Sequence, residues 1–375
     1  MVPPSDSTSE TPNEPPTIER VEAKLREQPR TWLVTGVAGF IGSHLAEQLL
    51  ALGQQVIGID NFDTGKAENI DAIVDGAIAK GSADAGTRLR VIETDVRNYA
   101  ALERACEGVD HVLHHAAVAS VPRTLSEPRD SHAVNVEGSF NVFEVARAAG
   151  VRSVVFASSS AVYGDCPGDP ETGAQREQRI GRALSPYATH KHIGEQLGQT
   201  MTRSFGLSFV GLRYFNIVGP RQDPAGAYAA VIPKWVALLA KGEQPAVFGD
   251  GLQTRDFCPV ADVVQANLLA ATWAERTTPE QRERPGDPSE AIFNVGLSER
   301  TTLLDLYELI HEGMVNLGAP CEGIRPRHAD PRVGDIVHSR ANIDRTREQL
   351  GYAPRVSLQQ ALIETMTWLV HRKEL

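Results

Sequence analysis

An α/β fold, a doubly wound parallel sheet with a smaller C-terminal α/β substrate-binding domain, is what this chain predicts, on three observations. An apolar strand signal, Thr31 to Thr35, runs straight into a glycine-spaced turn that opens an amphipathic helix. A second apolar strand, Gln55 to Ile59, ends in an acid, Asp60. Strand and helix signals then alternate along the 375 residues, which can bury one large core or two moderate ones.

The first sixteen residues are rich in Pro, Ser, Thr and Glu and lack the basic start and apolar stretch of a signal peptide. Residues 1–17 therefore read as a disordered leader, and export is not expected. Ile18 to Arg26 carries helical spacing and predicts a small helix over 18–28, leading into the first strand. The turn that follows holds Gly36, Gly39, Phe40, Ile41 and Gly42. Its glycines bend the chain tightly, bring backbone N–H groups to a pyrophosphate and let the helix pack close on the strand. Asp60 comes eighteen residues after Gly42, where a carboxylate accepts hydrogen bonds from adenosine ribose hydroxyls, with Asn61 beside it. No arginine follows directly, so NAD is favoured over NADP. Strand, glycines, helix, strand and terminal acid in one unit form a Rossmann dinucleotide signal.

Further pieces fall at strand ends, where an open parallel sheet holds its ligands. Val91 to Asp95 brings Asp95, with Val96 next to it, towards the adenine. His111 to Ala117 ends in small residues, Ala116 and Ala117, beside which a nicotinamide can pass. Val154 to Ser160 ends in three serines just before Val162-Tyr163-Gly164. Tyr187 and Lys191 then stand four apart on a helix and share one face. A free tyrosine has a pKa of about 10, and a cation in a poorly solvated site favours the phenolate. A base working near neutral pH needs roughly 4 kcal/mol of such stabilisation, at roughly 1.4 kcal/mol per unit. The stretch Arg276 to Glu290 reads as a surface loop; the segments Gly81 to Gly86 and Gly173 to Arg182 are longer than expected, and the second, lying between Ser159 and Tyr187, reads as a solvated insertion, the alternative being that it shapes the entrance to the site.

Composition narrows the partners. A net charge of −11 without clustered Lys and Arg argues against nucleic acid, yet allows an anionic small substrate held by a few arginines. Cys106, Cys166, Cys258 and Cys321 are scattered without metal-ligand or disulfide spacing, and the histidines form no His-Glu-x-x-His. No metal is expected. No run of 18 apolar residues exists, so no membrane span is expected and the location reads as cytoplasmic.

The glycine pattern, the serine cluster, Tyr187-x-x-x-Lys191 and Leu212-Arg213-Tyr214-Phe215-Asn216 resemble the extended short-chain dehydrogenase/reductase superfamily over roughly residues 20 to 372. Within it, Ala227 to Trp235 and Thr254-Arg255-Asp256-Phe257 resemble UDP-sugar 4-epimerases, especially the bacterial UDP-N-acetylglucosamine 4-epimerases that supply surface polysaccharide. The resemblance implies an NAD-binding Rossmann domain over 18–212 with a returning segment at about 250–275. It implies a nucleotide-sugar domain over 213–249 and 276–375, and a homodimer paired through helices near 133–149 and 187–204.

Residue by residue, the resemblance assigns Ser159 to hydrogen-bonding the sugar hydroxyl, with Ser160 as the fallback, and Tyr187 to proton transfer. Lys191 would hold the nicotinamide ribose and lower the tyrosine's pKa. Asn135 would sit behind the nicotinamide, and Tyr214 would touch the cofactor. Ser120, Asn216, Ala230, Val231, Phe248, Arg255, Arg332 and Asp335 would grip the uracil, ribose, diphosphate or sugar, arginine suiting the diphosphate because its planar donors meet two oxygens at once. Related dehydratases and decarboxylases carry acids before Val-Tyr-Gly, where this chain has Ser160 and Ala161. That absence favours reversible oxidation at carbon 4, through a 4-keto sugar, over elimination. Ser339 matches the wall facing the carbon-2 substituent, a tyrosine in galactose-restricted members. Serine leaves room for an acetamido group, pointing to UDP-GlcNAc and UDP-GalNAc, with UDP-Glc and UDP-Gal also admissible. A 4-epimerase of UDP-hexuronic acids, an NADPH-dependent keto-sugar reductase and a non-catalytic NAD-binding sensor stay open as alternatives. Asp60 opposes the reductase, and the retained Tyr187 and Lys191 oppose the sensor.

Overall fold

A computed structural model describes residues 15–224, 230–278, 281, 287–330 and 338–371. In chain order the elements are α1 (Ile18–Glu27), β1 (Thr31–Thr35), α2 (Phe40–Ala51), β2 (Gln55–Asp60), α3 (Ala67–Ala79), β3 (Leu89–Glu93), α4 (Tyr99–Ala105) and β4 (His111–His114). They continue as α5 (Val121–Ser126), α6 (Pro128–His132), α7 (Gly138–Ala149), β5 (Ser153–Ser159), α8 (Pro186–Phe205), β6 (Phe209–Tyr214), α9 (Val231–Ala240) and α10 (Val260–Arg276).

Seven parallel strands form the main sheet in the order Ile292–Val295, β6, β5, β4, β1, β2, β3. Both faces are covered, so its strands read as near-continuous apolar runs; Leu33, for example, pairs with Ile57 on one side and Val112 on the other, all three buried. One core lies under α1, α2 and α10, the other under α4, α7 and the end of α8. Strand order reverses at β1, since the chain goes outward to β2 and β3 and then returns to β4 on the other side. That reversal opens a crevice at the C-terminal ends of β1 and β4.

Helix α8 is fixed closely against the sheet. Ser185 caps it by accepting the Ala188 N–H at 3.1 Å, and Pro186 starts it. A Cβ on Gly194 would come within 2.4 Å of the Phe156 ring, and one on Gly198 within 2.2 Å of the Phe209 ring. Two glycines thus bring the Tyr187 end of α8 down onto the ends of β5 and β6.

The smaller lobe packs α9 and the helices Leu303–Asn316 and Leu358–His371 around a third core. Short strand pairs join 246–248 to 327–329, 216–218 to 257–259 and 254–255 to 301–302. Among the described residues the expected division at residue 276 is crossed twice: Ile292–Val295 hydrogen-bonds into the edge of the main sheet beside β6, and Ala341, Ile343, Leu350 and Tyr352 pack into the first core. Gly211 admits the strand, because a Cβ there would stand 2.6 Å from Ile292 Cδ1. Of the expected leader, residues 1–14 lie outside the described residues. The segment 173–182 is docked and not a solvated insertion: Gln175 N–H donates to the Arg340 carbonyl at 2.7 Å and Glu177 is buried. Among the described residues no helix is long and apolar enough to cross a membrane.

Candidate active site

Every residue expected to touch NAD lines one cleft at the ends of β1, β2 and β4, Asn135 excepted. The turn after β1 has no room for side chains. Gly36 sits at φ +73°, and a Cβ on it would lie 2.9 Å from the Ala116 nitrogen; one on Gly42 would lie 2.0 Å from the Gly36 oxygen. The backbone N–H groups that begin α2 are thereby left open to a phosphate. Asp60 folds the same turn, its carboxylate accepting the N–H groups of Ala38 at 2.8 Å and Phe62 at 2.9 Å. Burial pushes its carboxyl above the usual range, and those N–H donors oppose the rise. A glycine cradle that any Cβ would fill, with an acid at the second strand end, fits a dinucleotide. Asn135 works from behind: its side chain accepts from Val118 N at 2.8 Å and donates to Val118 O at 3.0 Å, fixing a residue of the cleft wall.

A second, larger cavity lies between the lobes, and the two meet along Phe40, Ile41, Ala119, Ser158, Tyr187 and Tyr214. Tyr187 is therefore at the seam. Burial pushes its hydroxyl above the ordinary tyrosine value, and a hydrogen bond with Ser159 opposes this. Lys191 is not among the groups that shift it, contrary to expectation. The lysine ammonium instead donates to the Ala157 carbonyl at 2.6 Å, over the Phe156 ring at 4.8 Å. Loss of solvent brings Lys191 down to about 8, with the Glu195 carboxylate opposing. His115 shares the cleft wall with Tyr214, their side chains 2.9 Å apart, and burial keeps the imidazole neutral with a pKa of about 3.

The second cavity collects Ser159, Asn216, Ala230, Val231, Phe248 and Arg255, as expected. Three expected serines do not line this cavity. Ser120 Oγ caps α5 by accepting the Arg123 N–H at 3.2 Å, and Ser160 opens the short 3-10 turn to Tyr163. Ser339 is buried behind the wall, its N–H donating to the Thr254 carbonyl at 3.1 Å next to Arg255. Arg332 and Asp335 lie outside the described residues. Sequence reasoning gave no role to Ser158, Lys234 and Arg327, which line the cavities from separate elements, although Ser158 lies in the serine cluster and Lys234 in the stretch Ala227 to Trp235.

A family model described as the NAD dependent epimerase/dehydratase family matches residues 32–296. A UDP-glucose 4-epimerase of Mycolicibacterium smegmatis is 35% identical over 346 residues, 91% of this chain and 99% of that protein. A protein of Methanocaldococcus jannaschii described as a UDP-glucose 4-epimerase is 32% identical over 340 residues, 90% of this chain and 97% of its own length. Among solved structures, a UDP-N-acetylglucosamine 4-epimerase from Methanobrevibacter ruminantium in complex with UDP-N-acetylmuramic acid superposes with a TM-score of 0.78 at 33% identity, covering 92% of this chain and 99% of that one.

Proposed function

The chain belongs to the NAD-dependent epimerase/dehydratase family and is an enzyme of its UDP-sugar 4-epimerase kind; from that premise we propose that it interconverts UDP-GlcNAc and UDP-GalNAc. The observation that carries the reading is Tyr187, lining the second cavity together with Ser159, at the seam where the cofactor cleft opens into that cavity. Tyr187 takes the proton of the carbon-4 hydroxyl and later returns it, and Ser159 holds that oxygen. NAD, when bound, accepts the carbon-4 hydride and gives it back to either face of the keto sugar. Lys191 anchors the nicotinamide ribose side of the cleft.

The charges of the second cavity support a neutral sugar. Lys234, Arg255 and Arg327 come from the smaller lobe and suit a diphosphate, whereas the lining residues from the strand ends near Tyr187 are uncharged among the described residues. Among the described residues a hexuronate carboxylate would find no cation there. The small side chain of Ser339, whose N–H meets the Thr254 carbonyl next to Arg255, supports an acetamido substrate by its size. The subunits pair as a homodimer through α7 and α8, consistent with Phe140 of α7 standing 43% exposed.

Incubation with UDP-GlcNAc and no added cofactor, followed by separation of the nucleotide sugars, tests this. UDP-GalNAc is the expected product. Turnover of UDP-GlcA alone, or consumption of added NADPH with a keto sugar, would overturn it.

A further inference from the structure

One turn beyond Lys191 on α8 stands Glu195, only 1% exposed. Its Oε1 accepts the Ser158 hydroxyl at 2.5 Å and Arg213 Nε at 2.8 Å, and its Oε2 accepts Arg213 Nη2 at 2.8 Å. Ser158 immediately precedes Ser159 at the end of β5, and Arg213 immediately precedes Tyr214 at the end of β6. One carboxylate therefore ties together the three elements whose ends form the seam between the cavities. Arg213, 2% exposed, donates from Nη1 to the Glu177 carbonyl at 3.0 Å and lies 4.9 Å over the Tyr163 ring.

Stability is a poor account of this pair. Replacing a buried ion pair by apolar residues of similar volume is often neutral or stabilising, because both charges must leave water. Its neighbourhood suggests another use. Lys191, 5% exposed, faces Tyr187 and His190 on its own helix, His114 and His115 from the end of β4, and Glu195. The imidazoles of His114, His115 and His190 are all driven towards the neutral form. Glu195 faces Arg213 from β6, the Ser158 hydroxyl from β5, and His192 at 3.5 Å on its own helix. Among these described groups around Lys191, Glu195 is the anion.

We propose that Glu195 is a positioning residue of the epimerisation site: it fixes Ser158, and with it Ser159, to α8, and it supplies the counter-charge that keeps Lys191 protonated beside Tyr187. The proposal rests on Tyr187 and Lys191 being the reacting pair. Glu195→Gln keeps the shape and removes the charge. The expected result is a kcat at least about tenfold lower with KM within about twofold, and an alkaline limb of the kcat profile moved down by about one pH unit. Glu195→Asp keeps the charge and leaves the limb in place. Because the single Gln variant leaves Arg213 buried without its partner, Glu195→Gln combined with Arg213→Met provides a second folded form, and it too shows the lowered limb. An unmoved limb in a folded variant lacking the Glu195 charge, or an equal shift in Glu195→Asp, overturns the proposal.

A second readout needs no turnover. Lys191 titrates near 8 in the fold and near 10.4 when unfolded, so stability from this group is complete above the unfolded value and is lost as pH falls through the folded one. In denaturant titrations of the NAD-loaded protein, the alkaline rise in stability begins about one pH unit lower in the Gln variants than in the native chain. If no UDP-sugar is turned over, the assignment of the reacting pair fails while this measurement still decides the counter-charge.

Discussion

The ammonium of Lys191 bonds the carbonyl of Ala157 at 2.6 Å and stands 5.9 Å from the centre of the Tyr187 ring. The lysine thus ties α8 to the end of β5 through the backbone, while the tyrosine hydroxyl answers to Ser159. Division of labour follows: one side chain holds the register between helix and strand, the other lines both cavities.

Tyr187→Phe removes one oxygen and leaves the ring that lines both cavities. Bound NAD is retained, as measured by nucleotide release on denaturation, and UDP-sugar turnover falls by about a hundredfold or more. Near-native turnover in this variant would sink the proton-transfer role.

Gly42→Ala places a methyl group 2.0 Å from the Gly36 oxygen, a contact that only a backbone shift relieves. The purified variant is expected to carry little NAD. An NAD content equal to that of the native protein would show that the cradle is looser than its geometry.

Ser339→Tyr puts a ring into a buried site beside Thr254 and Arg255. Turnover of UDP-GlcNAc is lost and that of UDP-glucose is kept. Equal losses on the two substrates, measured side by side, count against a role in admitting the acetamido group.

Acid weakens the fold through buried imidazoles. His111 stacks on Trp32 at 4.3 Å and bonds Ser153 at 2.8 Å, and burial pulls it down to about 4. Between that value and the unfolded value near 6.5, the unfolded chain binds a proton that the fold refuses, so stability is whole above 6.5 and drains as pH falls towards 4. His111→Gln loses about 2 kcal/mol less between pH 7 and pH 4.5 than the native protein in urea titrations. Parallel curves for the two proteins would assign the acid sensitivity elsewhere.

The parts legible in the sequence are those in which geometry dictates residue type. Gly36 and Gly42 admit nothing larger, and Tyr187 and Lys191 meet because a helix brings every fourth residue round. Ser120 shows the limit, since a serine before Val121-Pro122 reads equally as a ligand contact or as a helix cap, and the fold uses it as a cap. Lys234, inside the stretch Ala227 to Trp235, and Arg327 carry no mark of a cavity role because they meet the cavity from elements far apart in the chain. Likewise, a short strand such as Ile292–Val295, Ile-Phe-Asn-Val, does not announce which sheet it will join; a gap opposite Gly211 decides that.

That late strand has a bearing on synthesis. A chain emerging from the ribosome can assemble the cofactor half only as far as β6, whose outer edge keeps its hydrogen-bonding groups unpaired until residue 295 has been made. By then the segments 216–218 and 257–259, which pair with each other, and α9 have all been produced. Closing the large sheet is therefore a step that waits for the first segments of the smaller lobe, and a fragment cut at the end of β6 would expose a raw, adhesive edge.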